Sequence, residues 1–162
     1  MKDSTDDLQQ FYNGLFAQVN LPAPTTILSC YNSTTATLTM NSIGALLQQV
    51  SSKNFPGAFK TMKTYYHQAP SSINDCLKNN EEFIQLVHQY DSENFTCLQL
   101  LARVGQFSLV HSSQLVNLAS IANDNFTKGD YFDAGKEIGV IAQTAIGEGA
   151  TLALKEDSSI DD

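Results

Sequence analysis

The chain has 162 residues, 42% hydrophobic and 16% charged, with a net charge of −8 and a single arginine, Arg103. A chain of this length is expected to form one domain and to bury enough apolar surface to fold without metals or many disulfides. The acidic excess gathers at the ends, −2 within Lys2–Asp7 and −3 within Lys155–Asp162, so the body carries only −3 and offers no basic patch for nucleic acid.

The pattern is helical from end to end. Thr5 is placed to cap a first helix, with Asp6 and Asp7 favourable at its N-terminal dipole. Leu8, Phe11, Tyr12, Leu15, Phe16 and Val19 recur at helical spacing as one apolar face, and Pro22 and Pro24 break it. The segment PTTILSCYN reads as a short helical turn or an extended link. Ser33-Thr34 is expected to cap the next helix, whose face is Met40, Ile43, Leu46, Leu47 and Val50. The stretch STTATLTM alternates as a strand would, but the period that follows favours helix. Asn54 caps a third helix, with Pro56 tolerated in its first turn and Phe55, Phe59, Met62 and Tyr66 on its face.

Pro70 ends that helix, and Ser71 or Ser72 opens a short one holding Ile73, Cys76 and Leu77. In EEFIQLVHQY, the residues Phe83, Ile84, Val87 and Tyr90 share a side. From Phe95 onward Gln99, Arg103, Gln106, Ser113, Asn117, Ser120 and Asp124 form a narrow polar stripe in an otherwise apolar run. A helix wet on one stripe is the buried centre of a bundle, here near 96–122. Asp130 caps the last helix, Gly147-Glu148-Gly149 ends it, and KEDSSIDD is expected to be disordered. The expected fold is all-α: a single-domain bundle of six or seven helices over 1–154 with an acidic tail at 155–162.

The glycines of GKEIGVIAQTAIGEGA need a reason, since each costs a helix about 0.8–1 kcal/mol relative to alanine. The spacing matches neither a phosphate loop nor a dinucleotide fingerprint. Lys136, Glu137, Gln143 and Glu148 make it too polar to lie in lipid. Packing remains: Ala134, Gly135, Ile138, Ala142 and Ala145 share a face, and Gly139 repeats Gly135 one turn on. Another helix would approach closely there. The expected partner is the 97–122 helix, and the rival reading is a docking seam for a second chain.

His67, His88 and His111 are scattered, and His111 falls on a buried face as core histidines do. Glu81-Glu82 and Asp130/Asp133 read as helix-start acids, and no nucleophile or metal motif appears. No catalytic residue, cofactor or metal site is expected. The aromatic set, with Phe11, Tyr12, Phe16 and Tyr65 among its members, reads as plain core before it reads as a cavity lining.

Two features point outside the cell. Sequons stand at Asn32, Asn94 and Asn125, each expected to be exposed at a helix boundary; N-capping is the competing use of the same residues. The cysteines are Cys30, Cys76 and Cys97, without zinc spacing. One disulfide and one free thiol is the count for an oxidising compartment. Cys30 with Cys76 is the favoured pairing, because each lies at a short element near a proline-marked turn; three buried thiols is the alternative. The start MKDSTDD lacks the apolar segment of a signal peptide, so a leader already removed is expected. No run of 18 apolar residues is present to span a membrane.

PTTILSCYN, INDCLKN and KGDYFDAGKEIGVIA together resemble the small secreted or surface helical proteins that ciliates encode in many copies. The resemblance covers most of Leu8 to Ile146 and implies a Cys30–Cys76 bridge, a removed leader and no catalytic residues, with Cys97 additional to the pattern. The functional expectation is a secreted or surface module that binds other proteins or copies of itself. The alternative is a carrier of a lipid or other apolar molecule.

Overall fold

The computed structural model describes residues 4–90 and 112–143. Seven α-helices lie among them: α1 (Ser4–Gln18), α2 (Ser33–Ser51), α3 (Phe55–Gln68), α4 (Ser71–Lys78), α5 (Glu81–Tyr90), α6 (Ser112–Thr127) and α7 (131–143). A 3-10 turn, Ile27–Cys30, sits between α1 and α2 and resolves the two readings of PTTILSCYN. STTATLTM is the start of α2, a helix. The fold is an all-α single-domain bundle.

Local chemistry sets the helix ends. Asn54 and Asp130 cap α3 and α7 as their positions predict, accepting from Gly57 N at 3.1 Å and Asp133 N at 3.3 Å. The α2 cap differs from expectation. Asn32 supplies it, not Ser33-Thr34: its Oδ1 accepts from Thr35 N and Thr35 Oγ1 accepts from Asn32 N, each at 2.8 Å. This reciprocal pair satisfies two of the N–H groups that a helix start leaves bare. Thr5 lies within α1. Three helices end with one residue in the left-handed region, Asn20 (φ 62°), Lys53 (φ 63°) and Gly129 (φ 83°). Each is followed by an N–H that reaches back five residues, as in Leu21 to Phe16 O, so the last carbonyls are bonded.

Helix α2 is the common wall. α3 folds back antiparallel to it, joined by Thr39–Tyr65 at 2.8 Å and Gln49–Thr61 at 2.7 Å. α6 runs antiparallel along it too, with Phe126 against Gly44 and Leu115 near Val50. α1 crosses its N-terminal half, where Ser4 and Thr37 hydroxyls meet at 2.9 Å. The main core gathers Leu8, Phe11, Tyr12, Phe16, Val19, Ile27, Ala36, Met40 and Leu86. A smaller cluster around Leu115 takes in Val50, Phe55 and Ile141.

Within this frame some faces turn from their expected place. On α3 it is Tyr65 that bonds α2, while Tyr66 is 62% exposed. On α5 the buried residue is Leu86, and Ile84 is exposed. Both helices are short, so a shift of one residue in the chosen face leaves the count of apolar matches nearly unchanged. α6 is the described part of the expected central helix; the segment before Ser112 lies outside the described residues. It buries Leu115, Ala119 and Ala122 and exposes Ser113, Asn117 and Asp124 as the stripe requires. Gln114 and Ile121 are exposed as well, so the wet face is wider than the stripe.

Candidate functional site

The small face of α7 meets α1. Ala134, Gly135 and Gly139 are buried and Ala142 is half-buried. A side-chain carbon built on Gly135 would collide with the carbonyl oxygen of Phe11, and one built on Gly14 would collide with that of Phe132. The carbon added on Gly14 would also stand 2.9 Å from Lys136 N, and the one added on Gly135 would stand 3.2 Å from Leu15 N. Two glycines therefore face one another, and the two backbones touch directly, which any side chain would prevent. Asp7 lies near Tyr131 at one end and Gln18 reaches Gln143 at 3.5 Å at the other, so α1 and α7 run parallel. At Gly135 the partner is α1; residues 97–111 of the expected partner lie outside the described residues. Periodicity identifies a small face but says nothing of which helix it meets.

A second constellation pins the link between α1 and α2. Cys30 and Cys76 form a disulfide across a separation of 46 residues, with Cα atoms 5.6 Å apart. It joins the 3-10 turn to α4. Glu82, on α5, reaches the same segment: its carboxylate accepts from Thr25 N at 2.9 Å, Thr26 N at 2.7 Å and Thr26 Oγ1 at 2.6 Å. Asn80 caps α5 through Phe83 N and also donates to Thr26 Oγ1 at 3.1 Å. Desolvation pushes the Glu82 pKa up. The bonds from Thr26 and from the backbone of Thr25, Thr26 and Ile27 outweigh it and hold the carboxyl below its usual range. Glu82 is thus more than a helix-start acid. Behind it Tyr12 and Tyr31 share a hydroxyl bond of 2.6 Å. Burial pushes Tyr12 up to about 12 and Tyr31 higher, so both stay neutral and bonded.

The third arrangement involves a sequon. Asn125 is half-buried within α6, and its Nδ2 donates to Glu137 Oε1 on α7 at 2.7 Å. This corrects the expectation of an exposed boundary residue. The other Glu137 oxygen is buried without a hydrogen-bond partner. Desolvation raises the Glu137 pKa, the Asn125 bond lowers it, and Asp133, Asp130 and Asp124 raise it further; the net shift is upward. Asn32, by contrast, is exposed. Asn94 and Cys97 lie outside the described residues, as do His111, Gly147, Gly149 and the tail 155–162.

His67 and His88 stand exposed on separate helices, and no group of three metal-ligating side chains occurs among the described residues. Phe11, Tyr12 and Phe16 are packed core. An open groove of about 420 Å³ runs between α2 and α3, lined by Asn41, Ser42, Gln49, Lys60, Thr61 and Tyr65 among others. Among the described residues no helix is long and apolar enough to cross a membrane.

No protein family, curated protein or solved structure matches this chain.

Proposed function

We propose that the chain is a secreted or surface-exposed helical protein that acts by binding other proteins or copies of itself. The observation that carries the location is the Cys30–Cys76 disulfide, since such bonds persist in oxidising compartments and are rare in a reducing cytosol. The 3-10 turn that carries Cys30 is also held at its start, where Glu82 and Asn80 bond Thr26. The binding role leans on the surface. Tyr66 and Ile121 leave large apolar side chains in water at 62% and 51% exposure, and the groove between α2 and α3 lies open.

The test is labelling of intact native cells with a membrane-impermeant amine reagent, together with assay of the medium. The chain is expected to be labelled or shed, and light scattering of the purified protein is expected to show a mass above one chain, alone or with a co-purifying partner. Protein confined to the cytosol and shielded from the reagent contradicts the location. A strict monomer that binds nothing from the outer surface contradicts the role.

A further inference from the structure

The two described sequons are not equivalent as acceptors. We infer that Asn32 is a site of N-glycosylation and that Asn125, despite an intact sequon, is not. The inference deepens the extracellular reading and rests on it.

The reaction joins the side-chain Nδ2 to the anomeric carbon of an oligosaccharide carried on a polyprenyl diphosphate. The anomeric C–O bond breaks and the polyprenyl diphosphate leaves with its electron pair. One Nδ2 proton passes to the transferase and on to water. The asparagine keeps Oδ1 and a single N–H. The product must therefore have room beyond Nδ2 and must lose nothing that the fold takes from that nitrogen.

Asn32 meets both conditions. It is exposed, and so are Ser33 and Thr34 of the same sequon. The cap of α2 uses Asn32 Oδ1 and its backbone N–H, not Nδ2. A glycan there leaves the reciprocal Asn32–Thr35 pair whole.

Asn125 fails on room. Its Nδ2 is the donor to Glu137 across the α6–α7 contact. The neighbouring sequon residue Phe126 packs edge-on to Tyr131 at 5.1 Å between centroids and covers Gly44. A sugar on Nδ2 would have to enter where the Glu137 carboxylate sits and would part the two helices. Folding of α6 against α7 hides the acceptor, and a chain modified there could not close that contact.

The experiment sends the full chain, behind a heterologous leader, through the secretory pathway of a glycosylating eukaryotic host. Enzymatic deglycosylation in heavy-oxygen water then marks each formerly glycosylated asparagine as labelled aspartate, read peptide by peptide. Label is expected at Asn32 and absent at Asn125. Label at Asn125, or none at Asn32, overturns the inference. Asn32→Asp keeps a capping oxygen and removes the acceptor nitrogen, so it is expected to lose the glycan while keeping the melting temperature of the parent chain produced in a non-glycosylating host, which retains Asn32. A large fall in melting temperature would show that Nδ2 itself serves the fold, against the argument. The host supplies the route, so this result stands apart from the extracellular reading, which fails instead if native protein escapes surface labelling and is missing from the medium.

Discussion

Two regions of this bundle are held by opposite means. At the α1–α7 crossing, Gly14 and Gly135 hold two backbones together by having no side chains. At the Thr25–Tyr31 link, a disulfide, a carboxylate and a tyrosine pair hold an irregular segment by having as many bonds as possible. The first contact is steric and indifferent to solution conditions. The second depends on redox state and pH. A regular helix satisfies its own backbone, so its packing needs only shape. An irregular link leaves N–H groups bare, and these demand an acceptor such as Glu82.

The largest effect is expected at the link. Replacing both Cys30 and Cys76 by alanine frees a loop of 46 residues, worth about 4 kcal/mol on the chain-entropy account, and denaturant melts should show the loss. Reductant should lower the parent's stability similarly and leave the double variant unmoved. The seam should come next. Gly135→Val or Gly14→Val forces a side chain into the opposing backbone and should cost about 3 kcal/mol, the same with or without reductant. A loss below about 1 kcal/mol would mean that α1 and α7 do not touch in solution.

Charge sharpens the contrast further. Glu82 has a folded pKa below its ordinary value of 4.5, so its contribution is present above that pH and lost as pH falls through the folded value. Glu82→Gln should cost about 1 kcal/mol at neutral pH, a figure already discounted for its exposure, and should flatten the acid limb of the stability curve. Glu137 runs the other way. Its raised pKa means that its carboxyl favours the fold when protonated, an advantage lost as pH rises through the folded value. Glu137→Gln should therefore stabilise the protein at neutral pH by about 0.5 kcal/mol, since an amide donor would face Asp124, Asp130 and Asp133; calorimetry at pH 4 and pH 7 would separate the two glutamates. Lys53→Gly should gain about 0.5–1 kcal/mol in a thermal melt, because Lys53 holds a φ of 63° that suits glycine.

Much of the fold is legible in the sequence, and the reasons are local. Asn54 and Asp130 announce helix starts because a short polar side chain there has a job that neighbouring residues cannot do. The small face around Ala134 and Gly135 is legible because glycine is costly inside a helix and must be repaid by packing. Its partner is not: Gly14 stands alone in QQFYNGLF, and no pattern within α1 or α7 records that the two will run side by side. Glu82 is hidden for the same reason. A glutamate at the second position of a helix looks like any dipole partner, and its acceptor role exists only once Cys30 and Cys76 bring the 3-10 turn to it. One signal was available: Thr25 and Thr26 precede a short turn with bare N–H groups and no acid of their own nearby. Asn125 misleads in the opposite sense, because a sequon is a three-residue pattern and burial against Glu137 is a tertiary fact.

The extracellular account is tested most directly by counting thiols on protein from its native source, unfolded without reductant and alkylated before mass measurement. With Cys30 and Cys76 bridged, at most one label is predicted, on Cys97. Three labels would show a reduced chain and contradict both the pinned link and the location argued from it.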